Sequence, residues 1–242
     1  MKLIYAKDKN IGWITLSNPP SNALVHPAFE DLRTLKLFCA DPDLLGIIIK
    51  GDGRHFCSGA DLESLEALKK DPEIFAQALA QGKKLLEAVT FSTIPVVAMI
   101  HGSCLGAGLE IALSCHFRIA SENAILGFPE SSLGLMPGFG GTVLIQEPSM
   151  RKTAIDLIVS GRMVTGPEAF LLGIVDRTAP TFDLQEIAQS FLNSMVAKHP
   201  PRVIRAIMES IHNARRLSQK EALKREASLF LDLVKQSLGE NP

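Results

Sequence analysis

The sequence is poor in the features that mark membrane, secreted and nucleic-acid-binding proteins. Its 242 residues include four cysteines and one tryptophan, and no apolar run approaches the roughly 20 residues of a membrane span. The chain also lacks an excess of either charge, because it has 25 basic and 26 acidic residues and a formal net charge of −1. We therefore expect neither a membrane nor a nucleic acid as the main partner.

The N-terminal residues and the cysteines predict a cytoplasmic protein. Met1 is followed by a charged, strand-like segment rather than by the apolar core of a signal peptide. The four cysteines are Cys39, Cys57, Cys104 and Cys115. They lack metal-ligand spacing and lie mostly in apolar surroundings, so we expect reduced, mostly buried thiols and no metal site. Cys104 lies in a glycine-rich turn, but no histidine stands in an obvious partner position, which disfavours catalysis by this thiol.

The order of the predicted elements favours an α/β protein with a helical C-terminal section. Apolar runs predict strands over 11–17, 46–50, 94–100 and 117–120. Helical periods are found over 27–40, 72–92 and 109–115, and after residue 183 over 184–198, 201–215 and 218–238. We expect an α/β core over residues 1–182 and a helical region over 183–242. Basic residues in that region indicate a solvated helix face, with a patch that meets substrate phosphates as the alternative.

Two glycine-rich turns are candidates for holding a ligand oxygen. They are Ser58-Gly59-Ala60-Asp61 and Leu105-Gly106-Ala107-Gly108. The first N–H groups of a helix have no internal partner, so two such turns facing each other would form an oxyanion hole. For either turn alone, tight backbone geometry is the more ordinary explanation, and Asp61 is explained equally well as a helix cap.

Glu110 and Glu130 are the candidate acid–base residues. Each lies in a glycine-marked turn flanked by apolar residues, in Gly106-Ala107-Gly108-Leu109-Glu110 and Leu126-Gly127-Phe128-Pro129-Glu130. Loss of hydration raises the pKa of a carboxyl, which can then carry a proton near neutral pH. Two such groups could act as acid and base on one substrate, although an exposed carboxylate near a helix start is the ordinary alternative for each.

Several segments, in order along the chain, resemble the crotonase (enoyl-CoA hydratase/isomerase) superfamily. The run His55-Phe56-Cys57-Ser58-Gly59-Ala60-Asp61-Leu62 resembles its signature F-x-x-G-A-D-L. Residues 94–108, 129–142 and 160–176 resemble its later blocks. The resemblance spans nearly the whole chain, which makes it more specific than any single glycine motif.

The resemblance implies a crotonase-like spiral of ββα units whose C-terminal helices build homotrimers, often paired into hexamers. It implies an acyl-CoA thioester as substrate, or the same acyl group on a carrier protein, and no cofactor beyond the coenzyme A of the substrate. The backbone N–H groups of Ala60 and Ala107 would hold the thioester oxygen. The substrate would also contact Asp61 and Leu62, and the catalytic pair would be Glu110 and Glu130.

The presence of both glutamates favours hydration, because isomerases, dehalogenases, hydrolases and decarboxylases of the family often lack one or both. We therefore expect reversible addition of water across the 2,3 double bond of an enoyl thioester. Isomerisation or decarboxylation of a thioester-bound acyl group and a non-catalytic acyl-CoA-binding subunit are the alternatives. Leu126 replaces a usual Phe, and Val143-Leu144-Ile145 replaces a common Gln-Arg-Leu. These departures leave chain-length preference and assembly open.

Overall fold

A computed structural model describes residues 1–68, 70–145 and 150–239 of the chain. Its strands are β1 (Lys2–Asp8), β2 (Ile11–Ser17), β3 (Gly46–Gly51), β4 (Val96–Ile100), β5 (Ser103–Leu105), β6 (Phe117–Ser121), β7 (Ile125–Gly127), β8 (Met163–Thr165) and β9 (Arg177–Ala179). Its α-helices are α1 (Leu32–Cys39), α2 (Leu62–Leu68), α3 (Pro72–Thr90), α4 (Ala107–Ser114), α5 (Gly141–Leu144), α6 (Arg151–Ser160), α7 (Gly166–Leu171), α8 (Leu184–Val196), α9 (Pro201–Arg216) and α10 (Gln219–Gly239). A 3-10 helix covers Pro129–Leu133.

The larger sheet has the strand order β1-β2-β3-β4-β6-β9. β1 and β2 form an antiparallel hairpin, and all further pairs of this sheet are parallel. Strands of a parallel sheet are covered on both faces, which explains why Ile47, Ile48 and Ile49 are consecutive and all buried. The apolar runs that predicted the central strands therefore correspond to positions at the centre of the core.

The smaller sheet has the order β5-β7-β8, with β5 parallel to β7 and β8 antiparallel to it. The sequence patterns predict no strand between 94–100 and 117–120, so they miss β5. A strand of three residues is too short to show an alternating pattern, and it forms here because its backbone pairs with β7. The prediction for α4 is also displaced, because the helix begins at Ala107 rather than at residue 109.

The helix boundaries follow from their caps. The Asp71 side chain accepts the backbone N–H of Ile74 and Pro72 opens α3, at the start of the predicted helix 72–92. α1 is shorter than the predicted 27–40, because Asp31 caps it by accepting the N–H of Thr34. An α/β core followed by helices is thus confirmed.

The C-terminal helices pack in sequence, from the sheet outward. α8 contacts β3, β4 and β6 and buries one face against them, including Leu192. On α9, the Arg205 guanidinium donates to the carbonyl oxygens of Asp41 and Leu44, so this basic residue is not a free surface charge. α10 packs on α9. Over the described ranges no helix has the length and apolarity needed to cross a bilayer.

Candidate active site

The two glycine turns lie side by side at the end of β5. The N–H of Cys57 donates to the Ser103 carbonyl oxygen at 3.1 Å, and the N–H of Leu105 donates to the Cys57 carbonyl oxygen at 3.0 Å. These bonds place the segment after Cys57 alongside β5. Gly59 has φ +99°, and a Cβ there would lie 2.9 Å from the Leu105 carbonyl oxygen. Only glycine lets the two backbones approach this closely without strain.

The backbone N–H groups of Ala60 and Ala107 have no partner among residues 1–68, 70–145 and 150–239. Leu24 forms a parallel β-bridge with Ala60. The Leu24 N–H donates to the Gly59 carbonyl oxygen, and the Leu24 carbonyl oxygen accepts the N–H of Asp61. In such a bridge the N–H of Ala60 itself points away from Leu24. Ala107 is the first residue of α4, where a helical N–H has no internal acceptor. Both alanines line the same cavity.

Glu110 lies one turn further along α4 and is 1% exposed. Its Oε1 accepts the backbone N–H groups of Phe139 at 2.8 Å and Gly141 at 2.6 Å. Burial is the main cause that raises its pKa to about 7. The negative charge of Glu130 raises this pKa further, whereas the two N–H donors oppose the shift. Glu110 therefore changes its charge near neutral pH.

Glu130, in the 3-10 helix, places its carboxyl over the turn that precedes α4. A Cβ on Gly106 would lie 2.7 Å from Glu130 Oε1, so the absence of a side chain there makes room for the carboxyl. Burial raises the pKa of Glu130 as well. Its Oε2 is enclosed and has no hydrogen-bond partner within the described part of the chain. An enclosed carboxylate oxygen without a partner is costly unless a ligand or water supplies a hydrogen bond.

Both glutamates and both alanines line one cavity of about 490 Å³. The rest of its wall is largely apolar: Leu24, Pro27, Leu62, Leu65, Phe75, Leu79, Pro129, Leu133, Leu135, Met136 and Phe139. An apolar pocket of this size with a few convergent polar groups is typical of a small-molecule site. A larger cleft of about 670 Å³ lies elsewhere, beside α1, α3 and Arg216, and neither glutamate is part of its wall.

The other residues singled out in the sequence have different positions. Leu62 lines the cavity, whereas Asp61 is not part of its wall. Asp61 caps α2 by accepting the N–H of Ser64 at 2.9 Å, so its contact with substrate stays a prediction. Cys104 is fully buried, and burial raises its pKa well above the usual value, which makes a thiolate nucleophile unfavourable. Leu126 is buried in β7 rather than in the cavity wall.

Sequence reasoning missed the residues that hold Glu110. The glycine-rich stretch 137–141 was visible in the sequence, but nothing assigned it to a partner 29 residues earlier in the chain. Gly140 has φ +124°, and a Cβ on Gly141 would lie 3.1 Å from Glu110 Oε1. The glycines therefore let the N–H groups of Phe139 and Gly141 both reach Glu110 Oε1. No cluster of three or more potential metal ligands occurs among the residues that the structure describes.

Comparison with known proteins identifies relatives over almost the full length of the chain. A family model described as enoyl-CoA hydratase/isomerase matches residues 6–240. A protein of Bacillus subtilis (strain 168) named probable enoyl-CoA hydratase is 36% identical over 230 residues, covering 93% of this chain and 87% of the relative. Several other curated relatives are longer proteins, and the chain spans about a quarter of their length.

Solved structures give the same result for the fold. An enoyl-CoA hydratase from Polaromonas sp. JS666 superposes with a TM-score of 0.87 at 27% identity, covering 99% of this chain and 94% of that one. A structure from Thermobifida fusca YX, solved in complex with CoA, has a TM-score of 0.79 at 25% identity, covering 98% of this chain and 94% of that one.

Proposed function

The chain belongs to the enoyl-CoA hydratase/isomerase family, as its sequence predicted, and we propose that it adds water reversibly across the 2,3 double bond of an enoyl-CoA thioester. One observation carries the proposal: the buried carboxyl of Glu110 and the partly buried carboxyl of Glu130, both with raised pKa, share a cavity with two backbone N–H groups that have no partner among the described residues. The family and the relative's name support a hydratase-type enzyme, and the CoA-bound neighbour supports CoA as the carrier.

The backbone donors stabilise the charge that develops on the thioester oxygen. When water attacks the β carbon, the electrons of the double bond shift toward the carbonyl and form an enolate. The N–H groups of Ala60 and Ala107 would both donate to that oxygen. Removal of one donor from such a site typically costs about 3 kcal/mol of transition-state stabilisation. Because these donors belong to the backbone, no side-chain substitution removes them directly.

The two glutamates handle the protons. Ionised Glu110 takes a proton from the attacking water, while the new C–O bond forms at the β carbon. Glu130, whose burial favours the protonated form, gives a proton to the α carbon, and the double bond becomes a single bond. The roles reverse in dehydration. The unpartnered Oε2 of Glu130 is available to hold the same water.

The test uses Glu110→Gln and Glu130→Gln with a crotonyl thioester. We expect each variant to lose 10²-fold to 10⁴-fold in turnover, the usual contribution of one acid–base group. Glu122→Gln is the matched control, since this glutamate is exposed and absent from the cavity wall. Near-normal rates in both active-site variants would end the proposal.

Mass spectrometry of the products separates hydration from the second candidate, isomerisation. A product heavier by one water supports hydration, and an unchanged mass with a moved double bond supports isomerisation. Binding of CoA esters without turnover of any thioester would instead favour a non-catalytic acyl-CoA-binding subunit. A carrier-protein thioester that reacts faster than the CoA thioester would identify the carrier as the natural substrate.

We also propose that residues 1–182 form the catalytic core and that 183–242 drive assembly into a homotrimer or hexamer in the cytoplasm. α10 packs on α9 but leaves large apolar side chains exposed, among them Leu223, Phe230, Leu231 and Leu238. Exposed apolar faces of this kind are typical of protein interfaces. Sedimentation of the protein and of Leu231→Asp tests this: a smaller assembly is expected for the variant, and a monomeric parent protein would contradict it.

A further inference from the structure

One face of α3 forms a wall of the cavity and then ends in a notch. Phe75 and Leu79 lie four residues apart on this helix, and both line the cavity. Gly82 follows at the next position of the same helical face, seven residues after Phe75, and it is buried. Because Gly82 has no side chain, the surface of α3 is recessed at this point.

The ring of Phe139 fills the notch. A Cβ on Gly82 would lie 2.3 Å from ring atoms Cε2 and Cζ of Phe139, which shows that the ring packs directly on the Gly82 backbone. Phe139 is 4% exposed and is itself part of the cavity wall. The ring therefore continues the wall that Phe75 and Leu79 form along α3.

Behind the Phe139 ring lies the apolar core. Its neighbour Phe29, with ring centroids 6.3 Å apart, lines a small internal void of about 10 Å³. Leu85 and Leu86, one turn beyond Gly82, line the same void. The ring thus separates the cavity from an interior that is also apolar, so the barrier is steric rather than polar.

The position of the ring relative to the reacting atoms is set by its own backbone. The N–H of Phe139 donates to Glu110 Oε1 at 2.8 Å, so one residue both holds the candidate base and lines the cavity with its ring. An acyl chain whose carbonyl lies at Ala60 and Ala107 and whose β carbon lies at Glu110 would continue along the apolar wall of α3.

We propose that Phe139, seated on Gly82, limits the length of the acyl chain and makes this enzyme selective for short-chain enoyl thioesters. The selectivity for substrates rests on the proposed hydratase function. The limit on acyl-chain length concerns binding and can be measured without catalysis. Each methylene that enters an apolar pocket increases affinity roughly fourfold. The increase stops at the chain length that reaches the ring.

The experiment measures binding of saturated acyl-CoA esters from butyryl to dodecanoyl by calorimetry, together with kcat/KM for the corresponding enoyl esters. In the parent protein, affinity should rise with the first methylenes and then level off or fall. Phe139→Ala should extend the rise by several methylenes, at roughly fourfold each. Phe139→Leu should lie between the two and serves as the informative variant if the alanine variant unfolds. Phe182→Ala, at an exposed phenylalanine absent from the cavity wall, should keep the parent profile.

The outcomes separate this inference from the proposed function. A changed length dependence of binding without hydration by any variant would refute the hydratase proposal and leave the length limit standing. Hydration with the same chain-length profile in the parent, Phe139→Leu and Phe139→Ala proteins would overturn the length limit. A parent protein whose affinity rises steadily up to dodecanoyl-CoA would overturn it as well.

Discussion

Replacing Glu110 by glutamine should stabilise the protein above neutral pH while it removes activity. Glutamine has the same shape and keeps an oxygen that can accept the N–H groups of Phe139 and Gly141. It lacks the charge that burial disfavours. A carboxyl that is costly to ionise in the folded protein lowers stability, so it is expected to be kept for its chemistry. A variant that gains stability and loses rate would therefore identify Glu110 as a functional carboxyl.

The magnitude follows from the pKa of Glu110, which burial raises from 4.5 to about 7. Because the folded pKa is the higher one, the contribution of this group to stability is full below pH 4.5 and is lost as the pH rises through 7. The full loss is about 3 kcal/mol at 1.36 kcal/mol per pKa unit. Between pH 5 and pH 8.5 the wild-type protein should lose about 2.5 kcal/mol relative to Glu110→Gln.

Urea unfolding at the two pH values, at one protein concentration, measures this difference. Glu122→Gln, at an exposed position, serves as the control and should show the same pH dependence as the wild-type protein. A difference between wild type and Glu110→Gln that stays the same at both pH values would refute the reasoning. It would mean that Glu110 is no more difficult to ionise in the folded protein than in the unfolded chain.

The remaining predictions concern the same site. For hydration, kcat/KM should rise as the pH increases through about 7, because the base must be ionised, and this limb should be absent from the residual activity of Glu110→Gln. Gly106→Ala should lower activity at least tenfold more than Gly53→Ala does. Both glycines have positive φ, but only the first lies against the carboxyl of Glu130, the proposed acid, so equal losses would argue against a positioning effect. Asn22→Ala should cost roughly 2–3 kcal/mol of unfolding free energy, since its buried amide donates to two backbone carbonyls ahead of the first glycine turn. A change below about 0.5 kcal/mol would contradict this role.

Much of the architecture could be predicted from local patterns. β3 and β4 are continuous apolar runs because both faces of a parallel sheet are covered. α3 begins where an aspartate is followed by a proline, which is a local capping geometry. The helices after residue 183 have amphipathic periods, and α8 and α9 each bury part of their apolar face. In these cases the physical cause lies within a few residues of the chain.

Other elements depend on distant partners and could not be predicted in this way. β5 has three residues and forms by pairing with β7. The predicted start of a helix near residue 27 fails because Asp31 caps α1 four residues later. The Phe139 ring packs on Gly82, which lies 57 positions earlier in the chain, and the sequence around neither residue indicates the other.

The candidate site shows both kinds of information. The residues alone show which groups are present: two glutamates among apolar residues, two glycine turns, and the family pattern that joins them. That Glu110 and Glu130 line one cavity, and that N–H groups 29 and 31 residues away hold Glu110, became visible only in the folded chain. The physical reason is that a raised pKa comes from burial and neighbouring charge, and both depend on parts of the chain that meet only after folding.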